Sequence, residues 1–216
     1  GFRAGMPLLE LKLEIEDEAH LALRDKCEQE LRQVVGKFIV GENDDTLGGI
    51  VIALLQQQQK QLTLAESCTG GMIASNITAV SGASSVFGAG FVSYSNAVKE
   101  SVLGVDAALI EQHGAVSELV VRAMAESALR RSQANCAIAV SGVAGPDGGT
   151  EDKPVGTVWI AWGGADKLYA HRFNYPVGRK TFQTIVSALA LDLLRRYLLG
   201  TDEVPNYFQR KRSIKK

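Results

Sequence analysis

Cys136-Ala-Ile-Ala-Val-Ser141 is apolar from its first residue to its closing hydroxyl, without a polar side chain at every second position. A strand with one wet face alternates, so an unbroken run predicts a strand covered on both faces, with helices above and below its sheet. The flanking sequence supplies those helices. Upstream, Ser117 reads as the N-cap of a helix reaching Gln133. Downstream, a long Gly/Pro/Asp loop leads into a hairpin from Gly156–Trp162 through Lys167–Tyr175, followed by a helix over 178–199. Farther upstream lie a helix over 46–59, a brief strand Thr63-Leu64-Ala65, a helix near 70–79, a strand Gly90–Tyr94 and short helical pieces through His113. Helices alternating with strands, plus one hairpin, predict an α/β protein: a three-layer α/β/α sandwich around a mixed sheet.

Residues 1–44 carry a different pattern. Leu9–Ile15 alternates apolar and charged side chains, the signature of a strand with one wet face. Residues 17–35 show helical periodicity with Leu21, Leu23, Cys27, Leu31 and Val34 among the apolar positions, and Phe38-Ile39-Val40 reads as a second short strand. Gly41-Glu-Asn-Asp-Asp45 is a turn-rich break and the expected domain boundary. A strand–helix–strand piece this small is marginal alone. The chain opens at Gly1 without a methionine, which leads us to expect an upstream part, and residues 201–216 end in a short basic tail, expected to be a solvated terminus.

Composition narrows the function classes. Of 216 residues, 46% are hydrophobic and 22% charged, ordinary values for a globular protein, and the formal net charge of −1 offers no whole-molecule field for nucleic acid or anionic membrane. Cys27, Cys68 and Cys136 are odd in number and share no C-x-x-C spacing, which fits a reducing cytoplasm better than a disulfide framework. No apolar run has the length of a membrane span. His20, His113 and His171 fall in separate elements, and none pairs with another at metal-ligand spacing on one helix face, so the base of any serine hydrolase here is expected to be lysine rather than histidine. No cofactor is expected.

Three polar clusters sit where strands end, the place where open α/β sheets build sites. In Ala65-Glu-Ser-Cys-Thr-Gly-Gly71, Ser67 stands beside amides able to hold an oxyanion, although a plain N-cap serine on a tight turn reads equally well. In Ser93-Tyr-Ser-Asn-Ala-Val-Lys99, a strand-to-helix bend can bring Tyr94 and Lys99 together. A lysine acting as a base must be neutral, its pKa brought from roughly 10.4 towards 7–8 by burial. The alternative is Asn96 as an N-cap and Lys99 as a solvated helix lysine. In Ser141-Gly-Val-Ala-Gly-Pro-Asp-Gly-Gly-Thr150, a glycine-dense loop either offers amides to a phosphate or ribose, or is a wide connection turning at Asp147-Gly148. Neither the P-loop nor the dinucleotide glycine pattern occurs.

Taken in order, Ala65–Gly71, Tyr94-Ser-Asn96 with Lys99, His113-Gly-Ala-Val-Ser117, Ser141–Gly149 and Lys153-Pro-Val-Gly-Thr-Val158 resemble the C-terminal domain of the CinA (competence/damage-inducible protein A) family, the PncC-type nicotinamide-nucleotide amidohydrolases. The resemblance implies a domain over 45–200 with a five-stranded mixed sheet, preceded over 1–44 by the end of a KH-like linker domain. It implies hydrolysis of nicotinamide mononucleotide to nicotinate mononucleotide and ammonia without a metal. It suggests Ser67 as nucleophile supported by Tyr94 and Lys99, with amides of Thr69 to Gly71 holding the oxyanion. Glu66, Thr69, Gly70, Gly71, Asn96, Ser141, Gly142, Gly145, Asp147, Gly148 and Gly149 are the expected substrate-binding positions. Cys68 is a rival nucleophile, thiolates being better attackers, or simply a small buried apolar residue. Lys153, Arg179 and Lys180 are candidates for the substrate phosphate by charge alone. Self-association as a homo-oligomer is also implied. Two other functions compete: the same apparatus acting on another small amide, and a non-enzymatic nucleotide- or nucleic-acid-binding regulatory module linked to competence. Nucleic acid is not an expected partner, because no G-x-x-G occurs in the first 60 residues to clamp a strand as KH modules do.

Overall fold

The computed structural model describes residues 1–201, 204 and 205. The chain divides into two compact units, Gly1–Thr46 and one beginning at Leu47.

In the first unit, β1 (Phe2–Ala4) pairs antiparallel with β2 (Leu9–Leu11), and α1 (Leu21–Val35) follows a 3₁₀ turn capped by Asp17. Two expectations change here. The alternating stretch 9–15 forms a strand only as far as Leu11, because a two-stranded ladder extends no further than its three-residue partner. Phe38-Ile39-Val40 is no strand: Phe38 ends a 3₁₀ turn, and the Ile39 amide closes back on the Gly36 carbonyl. The unit is therefore hairpin-then-helix rather than strand–helix–strand.

The second unit contains α2 (Leu47–Gln57), β3 (Leu62–Glu66), α3 (Met72–Thr78), β4 (Phe87–Val92), α4 (Asn96–Val98), α5 (Ala107–His113), α6 (Glu118–Ser132), β5 (Cys136–Gly142), β6 (Thr157–Gly164), β7 (Leu168–Asn174) and α7 (Arg179–Leu198). Its five strands run in the order β4-β3-β5-β6-β7. β3 is parallel to both β4 and β5, while β6 and β7 add antiparallel. The α/β class and mixed sheet are those expected from the alternation of helices and strands, and the five strands are those that the family resemblance implies.

Alternation along each strand sorts the two faces. Ala65, Ala137, Ala139 and Ala161 pack with Val121, Met124, Ala125 and Ala128 of α6. Small side chains on both partners let this helix lie close across the sheet. Leu64, Ile138, Val140 and Ile160, all fully buried, point to the opposite face, where α2, α3 and α7 form the other layer. At about 25 cal/mol per Å² of apolar surface, each such side chain contributes roughly 1.5–3 kcal/mol. Because β3, β4 and β5 are mutually parallel, their carboxyl ends emerge side by side, and the polar clusters lie there.

Candidate active site

Ser67 follows β3 directly, and its amide still donates to Val140 O of β5 at 3.1 Å. The next strand end is tied in the same way, with the Ser93 amide donating to Glu66 O at 2.8 Å. Beyond Ser93 the chain bends into α4. Ser95 caps that helix by accepting from the Val98 amide, which replaces the expected Asn96 cap; Asn96 is exposed. The helix then widens into a π turn, Lys99–Leu103, closed by Gly104 at φ 71° with its amide on Glu100 O. Such turns re-aim side chains and recur at functional sites. Here the inward side chains are Leu103, in the core beneath α6, and Lys99.

Lys99 is 1% exposed, so the solvated-lysine alternative fails. Its Nζ lies 3.1 Å from Ser67 Oγ and 2.8 Å from Ser93 O. Burial lowers its pKa from the ordinary lysine value. Cys68 is itself buried, and desolvation pushes its thiol up to about 12, which keeps it protonated and unreactive at neutral pH.

The loop after Ser67 corrects two expectations. The Gly70 amide donates to Ser67 O at 3.1 Å, and the Gly71 amide to Glu66 Oε2 at 3.1 Å, so neither is available to an oxyanion. Among the described residues, the amides of Cys68 and Thr69 donate to no oxygen, the Cys68 amide facing its own thiol, although both residues are buried. Buried orphan N–H groups are rare, and beside a nucleophile they mark a place for a substrate oxygen. Glu66 is no substrate ligand: its carboxylate is filled by Thr69 Oγ1 at 2.6 Å and the amides of Gly71, Ile73 and Ala74. Thr69 spends its hydroxyl on that carboxylate.

Tyr94 departs from its expected role too. It is 58% exposed, and its hydroxyl accepts from Arg179 Nη2 rather than lying between Ser67 and Lys99. Arg179 Nη1 donates to Gly145 O at 2.9 Å, so this guanidinium bridges the loop after β4 and the loop after β5. It stands at a cleft of about 380 Å³ bounded by Ala144, Pro146, Val155 and Val177. One turn along α7, Gln183 donates to Cys68 O at 3.0 Å, tying that helix to the nucleophile loop.

Of the remaining expected positions, Gly142 sits on the floor. A Cβ there would meet Thr157 O at 2.7 Å and Cys68 Sγ at 3.1 Å, so only glycine fits. Ser141 is buried and donates its hydroxyl to Ala115 O at 2.7 Å, which makes it a brace rather than a free donor. Asp147, Gly148 and Gly149 lie on an exposed stretch outside the Ser67–Lys99 hydrogen bonds. Lys153 donates to His113 O at 2.7 Å, and neither it nor Lys180 lines the cleft, whereas Arg179 does. Sequence reasoning missed Ser93, whose contribution is a carbonyl, and Gln183, whose only sequence signal is its spacing four residues after Arg179. Among the described residues, no group of three or more His, Cys, Asp or Glu side chains is placed to hold a metal, and no helix is long and apolar enough to cross a membrane.

Fold and site together define an α/β/α sandwich protein with a buried serine–lysine pair at the carboxyl edge of its parallel strands. Residues 44–198 match the CinA C-terminal domain, and the chain belongs to that family. A CinA-like protein of Colwellia psychrerythraea is 50% identical over 210 residues, covering 96% of this chain and 49% of its own length. One from Parasynechococcus marenigrum is 49% identical over 185 residues, covering 85% of this chain and 44% of its own length. The chain thus spans about half the length of the curated relatives it matches. The crystal structure of competence damage-inducible protein A from Klebsiella pneumoniae superposes with a TM-score of 0.69 at 36% identity, covering 71% of this chain and 95% of that one. That of the competence/damage inducible protein CihA from Agrobacterium tumefaciens gives 0.67 at 36% identity, covering 71% and 96%.

Proposed function

We propose that this chain hydrolyses the carboxamide of nicotinamide mononucleotide to nicotinate mononucleotide and ammonia, with Ser67 as nucleophile and Lys99 as base. One observation carries the reading: an amine 3.1 Å from a serine hydroxyl, in a pocket that disfavours its charge. A neutral lysine has two N–H bonds and one lone pair. Ser93 O takes one N–H, and the lone pair is left for the proton of Ser67.

Attack of Oγ on the carboxamide carbon passes that proton to Nζ. The carbonyl oxygen, now negative, is received by the free amides of Cys68 and Thr69, the former being the amide next after the nucleophile. The Lys99 ammonium then returns its proton to the departing nitrogen, which leaves as ammonia, and a nicotinoyl–Ser67 ester remains. Water, deprotonated by the same amine, attacks the ester and restores Ser67. Our candidate for the substrate phosphate is Arg179, which lines the cleft and whose planar fork suits a phosphate. The serine–lysine apparatus supports an amide hydrolase in general; the choice of mononucleotide comes from the family resemblance.

The test is ammonia release from nicotinamide mononucleotide by the purified chain and by Ser67→Ala and Lys99→Met. Release by the wild type and loss in both variants is expected. A silent wild type, or an active Lys99→Met, overturns the reading, and a panel of other small amides identifies a different substrate if one exists.

A further inference from the structure

Glu66 is 1% exposed, and no basic side chain pairs with it among the described residues. A buried carboxylate without a cation is costly unless hydrogen bonds satisfy it. All four of its partners belong to the segment that follows the nucleophile. Oε2 accepts from Thr69 Oγ1 at 2.6 Å, Gly71 N at 3.1 Å and Ile73 N at 3.1 Å, while Oε1 accepts from Ala74 N at 2.8 Å. The loop it gathers passes through two left-handed residues, Gly70 at φ 64° and Gly71 at φ 96°, a conformation with little intrinsic preference of its own. The Gly70 and Met72 amides close turns on Ser67 O and Thr69 O, so the amides that no oxygen receives are those of Cys68 and Thr69.

We propose that Glu66 is a positioning residue that shapes the oxyanion cradle for Ser67. By drawing the outer amides and the Thr69 hydroxyl onto itself, it folds the loop so that the Cys68 and Thr69 amides remain free and fixed beside Oγ. It also fills the N-terminal end of α3 with protein charge, so that an anionic part of the substrate is directed to the Arg179 side of the site. This inference rests on the reading of Ser67 as nucleophile.

Glu66→Gln is the discriminating variant, because the side chain keeps its shape. With its carbonyl at the Oε2 position it retains three of the four bonds and opposes only the Ala74 amide. A displaced cradle lowers transition-state stabilisation but not ground-state binding, so kcat is expected to fall ~10–100-fold with KM nearly unchanged and the acidic limb of the pH profile unmoved. A second pair guards against misfolding of that variant: Thr69→Ala is expected to lower kcat, and Thr69→Ser to restore it by returning the hydroxyl. Labelling of Ser67 by a fluorophosphonate, which needs the nucleophile and the cradle but not the nucleotide, is expected to slow in parallel in Glu66→Gln and Thr69→Ala. A folded Glu66→Gln with wild-type kcat and labelling rate would reduce Glu66 to a helix cap and overturn the proposal. Labelling of the wild type without ammonia release would sink only the substrate assignment, whereas silence in both assays would remove the serine reading and this inference with it.

Discussion

Lys99 carries opposed demands: a base must lose its proton at working pH, and a buried amine does so because its ammonium form is poorly solvated. kcat/KM is therefore expected to rise with pH along a limb lying below a lysine's ordinary 10.5, and Lys99→Met to lose ~10²–10⁴-fold in rate together with that limb. The same shift enters stability. Between the lowered folded pKa and 10.5 the unfolded chain binds more protons than the folded one, so the contribution of Lys99 to stability climbs with pH across that window. Denaturant melts of wild type and Lys99→Met over pH should separate in that direction; a gap independent of pH would refute the linkage. The thiols shift the other way. Burial pushes Cys68 up to about 12 and Cys136 up to about 11, so what they contribute is complete below 9.0 and is lost as pH climbs towards those values. Below that range both stay protonated and buried, and a disulfide reagent near pH 8 should titrate one thiol quickly, Cys27, and all three only after denaturation. Ser67→Ala should cost on the order of 10⁴-fold or more in turnover while Cys68→Ala stays within about tenfold of wild type. The reverse would make Cys68 the nucleophile.

At the scale of elements, the packing beneath α6 sets a sharper limit than the packing beneath α7. Ala139 is fully buried in the cluster formed with α6, so the larger side chain of Ala139→Leu overpacks it and is expected to destabilise by about 1–3 kcal/mol. Ile138→Val, on the other face of the same strand, should cost about 0.5–1.5 kcal/mol. Thermal melts of the two variants measure both losses, and an Ala139→Leu variant as stable as wild type would contradict tight packing beneath α6. The apolar run of β5 was legible in sequence because a strand covered on both faces needs no alternation, and its position implied the helices that cover it. The N-terminal segment was less legible. Its hairpin is three residues per strand, too short for periodicity to show, and alternation over 9–15 overran the ladder that ends at Leu11. The serine and lysine of the site could be read because their chemistry is in their side chains. Ser93 contributes a carbonyl and Glu66 answers backbone amides, and neither relation leaves a mark on residue identity. The contact between Tyr94 and Arg179 was hidden for a further reason: the two lie 85 positions apart, on elements that only the completed sheet brings to the same end.

For the molecule as a whole, the two units differ in what they bury. No described residue of Gly1–Thr46 has a buried side chain, and Phe2, Leu9, Leu23 and Val34 are all exposed, whereas the unit from Leu47 onward holds the continuous core on both faces of its sheet and every residue of the serine–lysine site. A chain beginning at Leu47 should therefore keep its cooperative melt, with a midpoint within about 4 °C of the parent, a shift that corresponds to roughly 1 kcal/mol in a protein of this size. Its kcat/KM for the mononucleotide should remain within about twofold. Brief proteolysis of the parent should cut first inside 1–46, where backbone is shielded by little more than local hydrogen bonds, and leave a fragment with full activity. Loss of the melt or of ammonia release on truncation would place part of the working core in the first 46 residues, and the independence of the second unit would then be wrong.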